Sequence, residues 1–100
     1  MTAYRIATSV LEGIVRGSLA ADSRIRIHSS LPLARARAIE VLVEGDKCEV
    51  VVHVDARLGE VLPTLATEVR TAVAGALGRM TGLTVGSVDV IFAGVFPAGA

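Results

Sequence analysis

The chain has 100 residues, 52% of them hydrophobic, and its ten basic residues balance its ten acidic residues. A chain of this length and hydrophobicity can bury the core of a single domain, spanning 1–100, without a metal or a disulfide. Zero net charge argues against a general polyanion-binding protein, and the scarcity of aromatic residues leaves few platforms on which bases could stack.

The first predicted element is a helix from Ala7 to Ala21, because apolar residues recur in it every three or four positions. Thr8 or Ser9 can cap its amino terminus. Gly13 and Gly17 weaken a helix, and we take close approach to a sheet as the reason for their presence.

A strand is predicted next, where the segment 24–28 alternates strictly between polar and apolar residues. It buries Ile25 and Ile27 and turns its polar residues outward. The segment Ser29 to Arg37 predicts a loop. A short additional strand at Tyr4 to Ile6 would precede the first helix.

A hairpin centred on Gly45-Asp46 is the strongest local prediction. Glycine in the first position of a two-residue turn is typical of type II′. That turn places the apolar residues of both flanking segments on one face, so that turn register and hydrophobic register agree. The predicted pairs are Glu44 with Lys47, Val43 with Cys48, Val41 with Val50 and Ile39 with Val52.

A second helix and a last strand complete the predicted fold. Pro63 suits the first turn of the helix and Gly82 its left-handed end. The strand runs from Val85 to Phe92. We therefore predict an α+β fold, a two-layer sandwich with two helices on one face of a small mixed or antiparallel sheet. The predicted buried stripe of the second helix comprises Leu62, Leu65, Val69, Val73, Ala76, Leu77 and Met80.

This packing leaves the second face of the sheet open. One interpretation is a solvated face with a few tolerated aliphatic residues. The other is an interaction surface, with an apolar centre of Leu42, Val51 and Ile91 surrounded by a basic strand and by acids such as Glu40, Glu49 and Asp89. The residues assigned to this surface are Arg24, Arg26, His28, Leu42, Val51, His53, Asp55 and Ile91.

Candidate catalytic chemistry is confined to His28, Cys48, His53 and Asp55. The hairpin register points Cys48 into the core and His53 and Asp55 outward, so Cys48 cannot share a site with His53. The two histidines and Asp55 could form a weak metal or acid/base site, but no spacing demands one. We therefore predict neither an enzyme nor a cofactor.

Nucleic acid binding is the alternative function. A small sheet covered by helices on one face is a common plan of RNA-binding modules, and Arg24, Arg26, Arg35 and Arg37 could contact phosphate. The acidic hairpin that follows them in sequence argues against this alternative.

The compartment follows from two features of the sequence. Cys48 is the single cysteine, and the amino-terminal residues lack the pattern of a secretory signal. No apolar run approaches the roughly 20 residues that span a bilayer. We expect a cytoplasmic protein that does not insert into the membrane.

From Ile39 to Val95 the sequence resembles the alkaline shock protein family of bacterial envelope stress response proteins. The resemblance implies a small, non-enzymatic cytoplasmic protein without a cofactor. It also implies association with itself, and often with a membrane-anchored partner at the inner face of the envelope. The residues that carry it are the valine-rich hairpin, Leu58-Gly59, Leu62-Pro63, Leu65-Ala66, Glu68-Val69-Arg70, Met80-Thr81-Gly82-Leu83, Val85, Val88-Asp89-Val90 and Gly94-Val95.

Overall fold

A computed structural model of the chain describes residues 5–29 and 37–99. It confirms the predicted α+β class, with two helices and four strands. Residues 5–7 form no strand, and Tyr4 and most of the loop predicted before the hairpin lie outside the described residues. The elements in chain order are α1 (Thr8–Ala20), β1 (Ile25–Ile27), β2 (Ile39–Glu44), β3 (Lys47–Arg57), α2 (Leu62–Thr81) and β4 (Thr84–Phe96).

β3 is the central strand of a mixed sheet. β4 pairs with it in parallel from Lys47 to Arg57, so β2 and β1 lie end to end along its other edge, both antiparallel to it. The connections explain these directions. A two-residue turn reverses the chain between β2 and β3, whereas the long crossover through α2 returns it in the original direction.

The hairpin register is confirmed at every predicted pair, from Glu44 with Lys47 to Ile39 with Val52. Gly45 has a φ of 64° and Asp46 does not have a positive φ, which agrees with a type II′ turn. Local turn chemistry and hydrophobic alternation therefore determine this part of the sheet.

The core lies between the sheet and both helices. Alternate residues of β3 are buried to 1% exposure or less, from Cys48 through Val50 and Val52 to Ala56. Leu11, Val15 and Leu19 of α1 and Leu65, Val69, Val73 and Leu77 of α2 cover them. Burial of this apolar surface is the main force that holds the two layers together.

Three predictions about the helices are wrong. Leu62 and Met80 lie in the terminal turns of α2, past the core, and remain 38% and 69% exposed. α1 begins after Ala7, which offers no capping side chain. Close packing does not explain Gly13 or Gly17, because a β-carbon added at either would meet no atom within 4 Å.

Candidate interaction surface

The side of the sheet that faces away from both helices, called the open face below, carries the residues that alternate with the core row. On β3 these are Glu49, Val51, His53 and Asp55. Strand pairing places Leu42 opposite Glu49, and Ile91 opposite His53. Because side chains alternate along a strand, the register that buries Cys48 and Val50 also fixes this second row.

Leu42, Val51 and Ile91 form a line across three strands, the apolar diagonal. Each is displaced by two residues along β3 from the one before, since Leu42 faces Glu49, Val51 is on β3 itself and Ile91 faces His53. Diagonal neighbours of this kind lie about 7–8 Å apart. Leu42 is 72% exposed and Ile91 42%, so the line is accessible from solvent.

Acidic residues flank the apolar diagonal. Glu40 and Asp89 lie on either side of Val51, Glu49 lies beside Leu42, and Glu44 follows on β2. Within residues 5–29 and 37–99 none of these four carboxylates makes an ion pair. Lys47, opposite Glu44, is the basic residue of this end of the sheet. The hairpin half of the open face is therefore negative.

The other end of the open face carries two histidines and Asp55. His28 Nδ1 lies 2.8 Å from Asp55 Oδ1 in a hydrogen bond, with both side chains about a quarter to a third exposed. His53 Nδ1 lies 3.4 Å from the Ala38 carbonyl oxygen and does not join that pair. The backbone N–H of His28 donates to the His53 carbonyl oxygen at 3.0 Å, so the two histidines are neighbours across strands although their rings contact different partners.

Arg26 covers an aromatic ring that strict alternation would place on the core side. Its guanidinium carbon lies 4.0 Å from the centroid of the Phe96 ring, a cation–π contact. A register shift leaves Ala93 without a partner, so Phe92 pairs with core residue Val54 while Phe96 pairs with Arg57. The bulge thus moves Phe96 to the open face. Gly94 was the available sequence signal, since glycine in a strand often marks a bulge.

Arg24, which the sequence assigned to this surface, is bound elsewhere. Its guanidinium pairs with Asp22 at 2.7 Å and reaches Glu68 of α2. The hydrogen bonds from Arg24 hold the pKa of Asp22 below its usual value, and the Arg24 pKa is raised in turn. Arg24 therefore links the start of β1 to the helical layer.

The arginines of the nucleic acid alternative are not brought together. Arg24 binds α2, Arg26 covers Phe96, and Arg37 bonds Glu12 of α1 at 3.0 Å. Arg35 lies outside the described residues. The three described arginines therefore form no shared basic cluster, which argues against this alternative.

The structure also locates the remaining reactive group. Cys48 is 1% exposed, as predicted, and burial raises the pKa of its thiol. Among the described residues, no three His, Cys, Asp or Glu side chains are grouped as metal ligands. In the same residues neither helix is both long and apolar enough to cross a membrane.

Comparison with known proteins places the chain in a family. No curated protein and no solved structure matched it. A model of the alkaline shock protein 23 family, described as having a cell envelope-related function, matches residues 2–97. The match includes the first helix as well as the segment that carries the resemblance in sequence. The chain therefore belongs to the alkaline shock protein 23 family, whose function is related to the cell envelope.

Proposed function

We propose that this protein is a non-enzymatic interaction module of the envelope stress response. It works as a cytoplasmic scaffold whose open face binds another copy of the chain or a membrane-anchored partner. One observation carries the proposal: an exposed apolar diagonal is surrounded by carboxylates that have no ion-pair partner within the described part of the chain.

Two physical considerations support a bound rather than a merely solvated face. Exposed aliphatic residues that are grouped and rimmed by charge are typical of protein interaction sites. In addition, Glu40, Glu49 and Asp89 concentrate negative charge on one end of this face, and an excess of charge of one sign destabilises the compact state through self-repulsion. A positively charged partner would offset that repulsion on binding.

The family's envelope-related function supports the membrane arm of the proposal. With neither described helix able to cross a bilayer, we assign attachment to a second, membrane-anchored protein. The localisation proposed is thus cytoplasmic, at the inner face of the membrane when the partner is bound.

The double variant Leu42→Asp with Val51→Asp tests the proposal. Two carboxylates on the apolar diagonal should abolish self-association in light scattering and release the protein from the membrane fraction of cells. The matched control is Thr64→Asp with Thr67→Asp, which adds the same charge to exposed positions of α2. Circular dichroism should show that both variants remain folded.

The proposal is wrong if the diagonal variant keeps both the mass and the membrane retention of the parent protein. A loss shared equally by the control variant would also contradict it, because added negative charge alone would then explain the result.

A further inference from the structure

We infer that the open face binds a second copy of this chain, which docks through the groove between its own α1 and α2. This inference rests on the proposed function and names the occupant of the same surface. The groove and the open face lie on opposite sides of the molecule, so one copy can use both at once.

Small residues of both helices form the floor of the groove, and larger apolar side chains border it. It is an open depression of about 690 Å³ between Gly13 and Gly17 of α1 and Ala72 of α2. Val10 and Met80, which are 51% and 69% exposed, line it as well. A β-carbon added at either glycine would meet no atom within 4 Å, so no described residue of the chain occupies the space beside the two glycines.

The charges that remain without an ion pair differ in balance between the two sides, with acids in excess on the open face and only bases on the helices. Five of the ten acids make no ion pair within residues 5–29 and 37–99, and all five lie on the hairpin or the open face. Of the described basic residues that make no ion pair, Arg16, Arg70 and Arg79 lie on the helices, whereas Lys47 and Arg26 lie on the open face and Arg5 precedes α1. The five acids are Glu40, Glu44, Asp46, Glu49 and Asp89.

These two surfaces are therefore complementary in charge as well as in shape. Arg79 lines the groove, and Arg16 lies on the exposed side of α1 with the two glycines. When one copy places its groove on the open face of another, both arginines approach carboxylates such as Glu49 and Asp89. The exposed Leu42 side chain then enters the groove over the glycines.

The alternative arrangement, open face against open face, is disfavoured. A two-fold axis would bring the carboxylates of two copies together, and the one lysine that each copy adds, Lys47, is outnumbered by them. At the far end of the sheet Arg57 is paired with Glu60 and His28 with Asp55, while Arg26 is stacked on the Phe96 ring. Groove-to-face docking joins two different surfaces, so it adds subunits head to tail and produces open chains, or rings where the rotation between subunits closes.

Mixing two variants tests this geometry. The first carries Leu42→Asp with Val51→Asp and keeps an intact groove. The second carries Ala72→Glu with Arg79→Glu, two exposed positions, and keeps an intact open face. Each alone should be a monomer in analytical ultracentrifugation. An equimolar mixture should form a dimer and nothing larger, because one functional groove meets one functional face.

A third variant, Gly17→Ala, provides an independent test, because the added methyl group narrows the groove without a clash. We expect about tenfold weaker association together with a higher melting temperature, because alanine favours the helix. A residue with a purely structural role would not change these two quantities in opposite directions. Association should also weaken as salt is raised, since its charges are exposed.

Three outcomes would overturn the inference. These are self-association of the groove variant at the parent level, a mixture that stays monomeric, and a parent protein that is monomeric at every concentration. In the last case, loss of membrane retention in the diagonal variant alone would still uphold the proposed function. The two proposals can therefore fail separately.

Discussion

Asp55 and Gly94 lie opposite each other in β3 and β4, so close that a β-carbon at position 94 would lie 2.8 Å from Asp55 Oδ1. The same oxygen is hydrogen-bonded to His28 Nδ1. The missing side chain at position 94 therefore leaves room for a carboxylate that links the end of β1 to the centre of the sheet.

Gly94→Ala should destabilise the protein by about 1 kcal/mol, because the added methyl group must displace the carboxylate from its hydrogen bond with His28. Urea unfolding measures the change. In an Asp55→Ala background the same substitution should cost much less, since the clashing group is gone. Equal costs in the two backgrounds would show that the contact with Asp55 is not the cause.

Val50 and Val51 are adjacent in sequence but lie on opposite faces of β3, one fully buried and the other half-buried on the open face. Val50→Asp should lower the free energy of unfolding by about 3 kcal/mol or more, because an unpaired charge would be buried. Val51→Asp should leave the fold intact. Thermal melts of the two variants check the contrast, and similar melting temperatures would contradict the assigned register.

Gly17 and Gly82 both belong to helical segments, but replacing each with alanine should change the stability of the protein in opposite directions. Gly17 is inside α1 with open space around it, so Gly17→Ala should add about 1 kcal/mol of stability. Gly82 ends α2 with a φ of 74°, where alanine is strained, so Gly82→Ala should cost about 1–2 kcal/mol. Denaturant midpoints measure both changes, and a shift of the same sign for both variants would refute this assignment.

Asp22 should make the free energy of unfolding fall as the pH is lowered into the acid range. Arg24 lowers the pKa of Asp22 in the folded state, so the ionised carboxylate stabilises the fold above its ordinary pKa of 3.8. That contribution is lost as the pH falls through the lower, folded pKa. Asp22→Asn should therefore cost about 1 kcal/mol or less at pH 7, and the difference from the parent should vanish in strong acid.

Urea titrations of parent and variant between pH 7 and pH 2 measure this difference. A gap that is independent of pH would show that the hydrogen bonds of Asp22, and not its charge, matter.

The hairpin and the helices could be predicted because their signals are local. A two-residue turn fixes which residues of β2 and β3 face each other, and alternation then separates Val50 from Val51. The same locality explains why Gly82 could be recognised as a helix end. Alternation along β2, β3 and β4 likewise assigns Leu42, Val51 and Ile91 to one face of the sheet.

The sequence by itself thus determined the elements, the hairpin register and the apolar residues of the open face. Tertiary structure alone decided the parallel position of β4, the bulge that turns Phe96 under Arg26, and the capture of Arg24 by Glu68. It also decided that Gly13 and Gly17 border a groove. Each of these depends on segments that meet only after folding, and the packing of distant surfaces leaves no periodic pattern in the chain.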